Sequence, residues 1–301
     1  MIDINVRKIA QEIKEIKIQG ASKIELAAIG VIYGYIQKTD KEGLEFIEEL
    51  TENINHLIKQ RLNEPKLRNS LNYILIHSQK FSKKEDREKL IKTIDEYGVN
   101  IIKNNQKIVE TTSQLITDGT SILTHCHSNL VEKALKKAHD KGINFTVYCT
   151  ETRPRYQGRI TAKALSDYGI NTIQIVDSAV SSYLKKIDFF LTGADVIFSD
   201  GSVMNKIGTH TISIVANNFK TPHIVLTTTH CYESNDLLNI RGSIEERNDC
   251  EIWEKEKRPK NLLLKNPAFD ITPNELIDKF ITEVGVFSPE SFSIWSQKKR
   301  F

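Results

Sequence analysis

The sequence predicts an α/β chain. A helical domain over residues 1–117 precedes a Rossmann-like domain over 118–301, with a parallel sheet covered by helices on both faces. Three observations predict it. Apolar residues recur at steps of three and four through the first third. Short apolar runs alternate with helical ones from "TDGTSILTHC" onward. Gly142, Gly169 and Asn218 fall where the helices between those runs should end.

The elements follow in order. "VRKIAQEIKEIKI" sets Val6, Ile9, Ile13 and Ile16 on one helical face, and Gly20 breaks the pattern. "ASKIELAAIGVIYGYIQKT" has a wider apolar face, as a more buried helix should. "KEGLEFIEELTENINHLIKQRL" brings Leu44, Ile47, Leu50, Ile54 and Leu57 into register. "SLNYILIHSQKF" and "KEDREKLIKTIDEYGVNIIKNNQKIVETTSQLI" continue in the same mode. The expected strands are "SILTHC", "FTVYCT", "NTIQIV", "FFLTGA" and "HIVLTT", with a short one at "FDIT". Between them lie the helical stretches "NLVEKALKKAHDKG", "GRITAKALSDYG", "SAVSSYLKKI" and "THTISIVANNF".

Composition excludes several function classes. Hydrophobic content of 39% and charged content of 27% allow a core and a soluble surface. A net charge of +3 is too small to argue for nucleic acid, so no direct nucleic-acid partner is expected. Cys126, Cys149, Cys231 and Cys250 are dispersed without a CxxC, which points to a reducing cytoplasm and not a disulfide framework. The charged N-terminus has no signal-peptide core, and no apolar run is long enough for a membrane span. The first strand–helix turn lacks GxGxxG, so a dinucleotide is not expected and no other cofactor is called for.

In open parallel sheets, ligands bind beyond the carboxyl ends of the strands. Cys126, Thr150 with Glu151, Asp177, Asp195 and Thr227–Thr229 all fall there. Asp177 and Ser178 read as helix caps. Cys126 stands just before a helix N-terminus, where dipole and amides favour a thiolate able to take a proton from carbon. The same position also suits an inert buried thiol. His125 and His127 alternate with Cys126 and point to the opposite strand face if the strand extends that far. His210, His230 and Cys231 lack metal spacing, so no metal site is expected. Arg153 and Arg155 suit an anion clamp or an interdomain ion pair. Gln157 suits a sugar hydroxyl. In "GADVIFSDGSVMNKIGTHTIS", Asp195 ends a strand and "SDGS" turns. Asn205 and Lys206 then precede a helix, where amides and an ammonium can hold an oxyanion.

In "THCHS", "TETRPRYQG", "GADVIFSDGSVMNKIGT" and "NPAFDITP", met in this order, the chain resembles a known superfamily. It joins the alpha, beta and delta subunits of translation initiation factor 2B to methylthioribose-1-phosphate isomerase and archaeal ribose-1,5-bisphosphate isomerase. The last is most similar at "THCHS" and "TETRP". The resemblance implies an aldose–ketose isomerase in which Cys126 takes a proton and Asp195 gives one through an enediolate-type intermediate. A carboxyl that gives a proton at neutral pH needs an apolar wall, such as Val196 and Ile197. It further implies substrate contacts at Gly20, Ala21, Arg153, Gln157, Asn205 and Lys206, and a homodimer or homohexamer. The alternative it carries is a regulatory subunit that binds a nucleotide or sugar phosphate and a translation-factor partner. Three cations of the isomerase pattern are replaced, by Gln19, Glu64 and Cys231. Lys17 and Lys66 are the candidates to compensate.

Overall fold

The computed structural model describes residues 2–298 except 16, 19, 62 and 234–243. Ile16 and Gln19 therefore lie outside the described residues. The chain divides into two compact units, one running to Asn104 and the other starting at Asn105.

The first unit is helical. It holds α1 (Ile4–Lys14), α2 (Ala21–Lys38), α3 (Gly43–Ile58), α4 (Pro65–Lys80) and most of α5 (Arg87–Ser113). α1 begins where it does because the Asp3 carboxylate accepts the N–H groups of Asn5 and Val6, at 2.8 and 3.2 Å. Pro65 occupies the first position of α4, where no N–H is needed. Ile24, Ala28, Ile32 and Ile36 of α2 form the buried stripe. They cluster with Phe46, Leu50, Ile54 and Leu57 of α3 and with Leu67, Leu71 and Ile74 of α4. Each such side chain contributes about 1.5–3 kcal/mol on burial. The expected register of α3 is corrected at one end. Leu44 is 80% exposed and Phe46 is fully buried. The stripe is set by Phe46, Leu50, Ile54 and Leu57, and at 100° per residue Leu44 falls off it.

The second unit alternates strand and helix. In order these are β1 (Ser121–Thr124), α6 (Asn129–Asp140), β2 (Thr146–Thr150), α7 (Gln157–Ser166), β3 (Asn171–Ile175), α8 (Val180–Tyr183) and β4 (Phe189–Gly193). Then come β5 (Val196–Phe198), β6 (Val203–Lys206), α9 (Thr209–Asn218), β7 (His223–Leu226) and β8 (Tyr232–Glu233). β9 (Phe269–Thr272), β10 (Lys279–Thr282), β11 (Gly285–Phe287) and α10 (Pro289–Lys298) close the chain. Among the described residues one sheet has the order β11-β10-β7-β4-β1-β2-β3. Its pairs are parallel apart from β10 with β11.

Both faces of this sheet are covered, as a parallel sheet requires. Ile122, Val147 and Leu191 pack with Val131, Leu135 and Ala138 of α6, and Ile108 of α5 joins them. That packing explains why the division between units falls inside α5. The alternate residues Leu123, Tyr148 and Phe190 pack with Val180, Leu184 and Ile212 on the other side.

A second sheet, β8-β5-β6-β9, was not foreseen beyond the strand at "FDIT". Three expectations change with the structure. β4 ends at Gly193, so Asp195 sits in the short link to β5 and not at a strand end. Asn205 and Lys206 end β6, and α9 starts only at Thr209. Asn218 is the last residue of α9, and Lys220 takes the left-handed conformation after it.

Candidate active site

The sheet order reverses at β1. β2 and β3 lie on one side of it, β4 and β7 on the other. Neighbouring loops diverge at such a switch and leave a crevice at the strands' carboxyl ends. β1 and β4 pair directly, with Thr124 opposite Leu191. Cys126 follows β1 by two residues and Asp195 follows β4 by two. The two loops touch: a Cβ on Gly193 would stand 2.8 Å from Ser128 Oγ.

Cys126 is buried and holds a left-handed backbone with φ +69°. Its N–H donates to Thr152 Oγ1 at 2.8 Å, and its carbonyl accepts from Thr161 Oγ1 at 3.0 Å. Burial pushes the thiol up to about 11. Lys206 and the His127 N–H pull it down, while Asp195 and Asp177 push it up. The thiolate expected from the helix start is therefore corrected. Ser128 caps α6, two residues beyond Cys126. Desolvation outweighs what the amides provide. The same balance puts Cys126, Lys206, Asp195 and Asp177 in one electrostatic neighbourhood.

Asp195 is half-buried, and its N–H donates to the Met204 carbonyl at 3.1 Å. Val196 and Ile197, beside it in sequence, are fully buried. Asn205 is buried and donates to Thr209 Oγ1 at 3.1 Å. Lys206 Nζ lies 4.7 Å above the Phe269 ring. Arg153, Gln157, Lys206, Arg247 and Asn266 line a narrow cavity of about 10 Å³, the room of one water. Cys126 and Asp195 are not among its lining residues. Arg155 pairs with Glu251 at 2.8 Å within the α/β unit. Glu251 also pairs with Arg247.

Gly20 and Ala21 belong to the helical unit, at the start of α2. Of the two compensating cations, Lys17 is 68% exposed and pairs with Glu15. Lys66 is buried. Its ammonium donates to Ser22 Oγ at 2.9 Å, in the first turn of α2, and lies 3.8 Å from Glu25. Glu64 and Cys231 are both buried, and the Cys231 thiol donates to the Ala194 carbonyl at 3.6 Å.

Two residues named from the sequence, Asp177 and His125, take parts that the sequence does not predict. Asp177, read as a cap, accepts the N–H groups of Thr152 and Arg153, each at 2.7 Å, and so shapes the loop that carries Arg153. His125 belongs to the cysteine turn: β1 stops at Thr124, so strand alternation does not reach it. Its ring contacts Thr150 Oγ1 and the Ile207 carbonyl. His127 contacts Thr161 Oγ1 at 3.1 Å. Among the described residues no three His, Cys, Asp or Glu side chains are grouped to hold a metal. No helix among them is long and apolar enough to cross a membrane.

Residues 17–289 match the initiation factor 2 subunit family. The chain belongs to that family. Ribose 1,5-bisphosphate isomerase of Methanocaldococcus jannaschii is a relative, 36% identical over 286 residues that cover 95% of this chain and 92% of that one. The ribose 1,5-bisphosphate isomerase of Pyrococcus furiosus is 37% identical over 298 residues, covering 96% and 92%. A crystal structure of translation initiation factor eIF-2B from Pyrococcus horikoshii OT3 has 24% identity and a TM-score of 0.80, over 96% of this chain and 98% of that one. The fold of the initiation factor 2 subunit family is thus shared by chains named as enzymes and as translation factors.

Proposed function

We propose that this chain is a sugar-phosphate isomerase that converts ribose 1,5-bisphosphate to ribulose 1,5-bisphosphate. The observation that carries the reading is a thiol and a carboxyl beyond two paired strands, Cys126 and Asp195, with the thiol within electrostatic reach of both Asp195 and Lys206. Identity of 36–37% to chains named for this reaction supports the substrate.

The chemistry needs one base and one acid. Asp195 gives a proton to the ring oxygen as its bond to C1 breaks. The Cys126 thiolate takes the proton from C2, leaving an enol across C1 and C2. The enol then returns its hydroxyl proton to Asp195 and receives the thiol proton at C1. Both groups end as they began, and no electrons leave the sugar. The resting thiol first loses its proton to water. A protonated Asp195 removes one of the two anions that oppose the thiolate, so the pair of states the reaction needs is self-consistent. Lys206 and Arg153 would hold phosphate, Gln157 and Asn205 the sugar.

A second reading, a regulatory subunit that binds a nucleotide or sugar phosphate and docks a translation factor, draws on the buried Glu64 and Cys231 at positions of expected cations. One experiment separates them. A panel of sugar phosphates is incubated with wild-type and Cys126→Ser protein. Turnover lost in the variant supports the isomerase. No turnover on any member, with a translation factor co-purifying, supports the regulatory subunit. Light scattering on the same preparation tests the expected homodimer or homohexamer.

A further inference from the structure

The turn that carries Cys126 and the turn that carries Lys206 are joined through one buried side chain. His125 is 3% exposed, and its Nε2 lies 2.9 Å from the Ile207 carbonyl. A carbonyl only accepts, so Nε2 carries the proton. Burial disfavours a second proton, against Asp177, which favours it, and together with Lys206, which opposes it. Nδ1 is then an acceptor, and the Thr150 hydroxyl donates to it at 2.7 Å. Thr150 Oγ1 lies 3.4 Å from Thr152 Oγ1, which accepts the Cys126 N–H at 2.8 Å. The donors all run one way, from the Cys126 amide to the Ile207 carbonyl.

Both ends of this chain are strained or tight. A left-handed backbone at Cys126 needs its surroundings to hold it. At the far end Gly208 stands at φ +102°, and a Cβ there would meet His125 Nε2 at 3.0 Å. Its N–H is fixed by Asp270 at 2.7 Å.

We propose that His125 is a positioning residue that holds the Cys126 turn and the Lys206–Gly208 turn in one geometry, acting through Thr150, Thr152 and the Ile207 carbonyl. It rests on the isomerase reading, with Cys126 as base and Lys206 on substrate.

The test pairs kinetics with a readout of the tether itself. His125→Gln should lower kcat about 100-fold, the cost of a small misplacement, with KM moved less than about fivefold. Thr152→Val should lower kcat about tenfold, and Thr152→Ser, which keeps the acceptor, should restore it. Nitrogen-15 NMR of the imidazole at neutral pH should show the neutral tautomer with the proton on Nε2. Thr150→Val should shift its Nδ1 resonance. A folded His125→Gln or Thr152→Val protein with wild-type kcat, or a proton on Nδ1, overturns the proposal. If His125→Gln does not fold, the two Thr152 variants decide. If the wild type turns over no sugar phosphate, the isomerase reading falls, and the tether stands or falls on the tautomer.

Discussion

Alkylation of Cys126 by iodoacetamide, followed site by site with mass spectrometry, reads the electrostatics of the site directly. Burial moves this thiol from 9.0 to about 11. Two pH units correspond to about 2.7 kcal/mol, or roughly a hundredfold less thiolate at neutral pH. At pH 8 about 0.1% of Cys126 should be ionised, against about 10% for an unshifted thiol. The rate should climb tenfold per pH unit with no plateau until about pH 11. Cys250, the exposed cysteine, reports reagent quality in the same sample. Lys206→Met removes a cation that favours the thiolate, so Cys126 should react more slowly at fixed pH. Asp195→Asn removes an anion that opposes it, so Cys126 should react faster. A wild-type plateau near pH 8.5, or equal rates in both variants, would refute the neighbourhood. The same shift has a stability consequence. Between pH 9 and about 11 the native thiol keeps a proton that the unfolded chain releases. Its contribution is full below 9 and is lost as pH rises through 11.

Four further outcomes are expected. Asp177→Ala frees the amides of Thr152 and Arg153, and urea titration should show a loss of about 3 kcal/mol. Gly158→Ala would put a methyl 1.8 Å from the Thr150 carbonyl oxygen, so at least about 3 kcal/mol should be lost, and an unchanged melting temperature would refute the α7–β2 contact. Lys66→Met removes a buried cation 3.8 Å from the fully buried Glu25 and should cost about 3–5 kcal/mol, partly recovered in the double variant with Glu25→Gln. Burial raises Asp270 to about 6, so its contribution to stability is full below about pH 4 and lost as pH rises through 6. Asp270→Asn should flatten that part of the denaturation-midpoint profile.

What the sequence displayed best was whatever depends on period. The stripes of α2 and α3 and the apolar runs of β1, β2, β4 and β7 are visible because burial itself imposes steps of four or unbroken apolar segments. The second sheet was not visible. β5, β6 and β8 are two to four residues long, and Asn205 pairs with Asp270 across a wide gap in sequence. No local pattern encodes such a pairing. For that reason Asn205 and Lys206 read as the approach to a helix. Asp177 read as a cap because Asp before a helix most often is one; its true partners are amides from the neighbouring strand's loop. The ionisation of Cys126 was misjudged for a related reason. The helix start is local and legible, whereas the desolvation that outweighs it comes from the packed whole.

The pairing of Ile122 with Phe189 carries a consequence for how this protein acquires and varies its chemistry. The strands that present the sulfur and the carboxyl are adjacent in space yet separated in sequence by three helical crossovers, through α6, α7 and α8. The two groups come together only through contacts distant in sequence, which form slowly, so on the proposed mechanism a nascent chain truncated after β3 should be inert. Loop-closure entropy grows only slowly with length, so insertions in the turns at the far end of β2 and β3 would cost little and leave the pair undisturbed. Diversification of this scaffold can proceed there without touching Cys126 or Asp195.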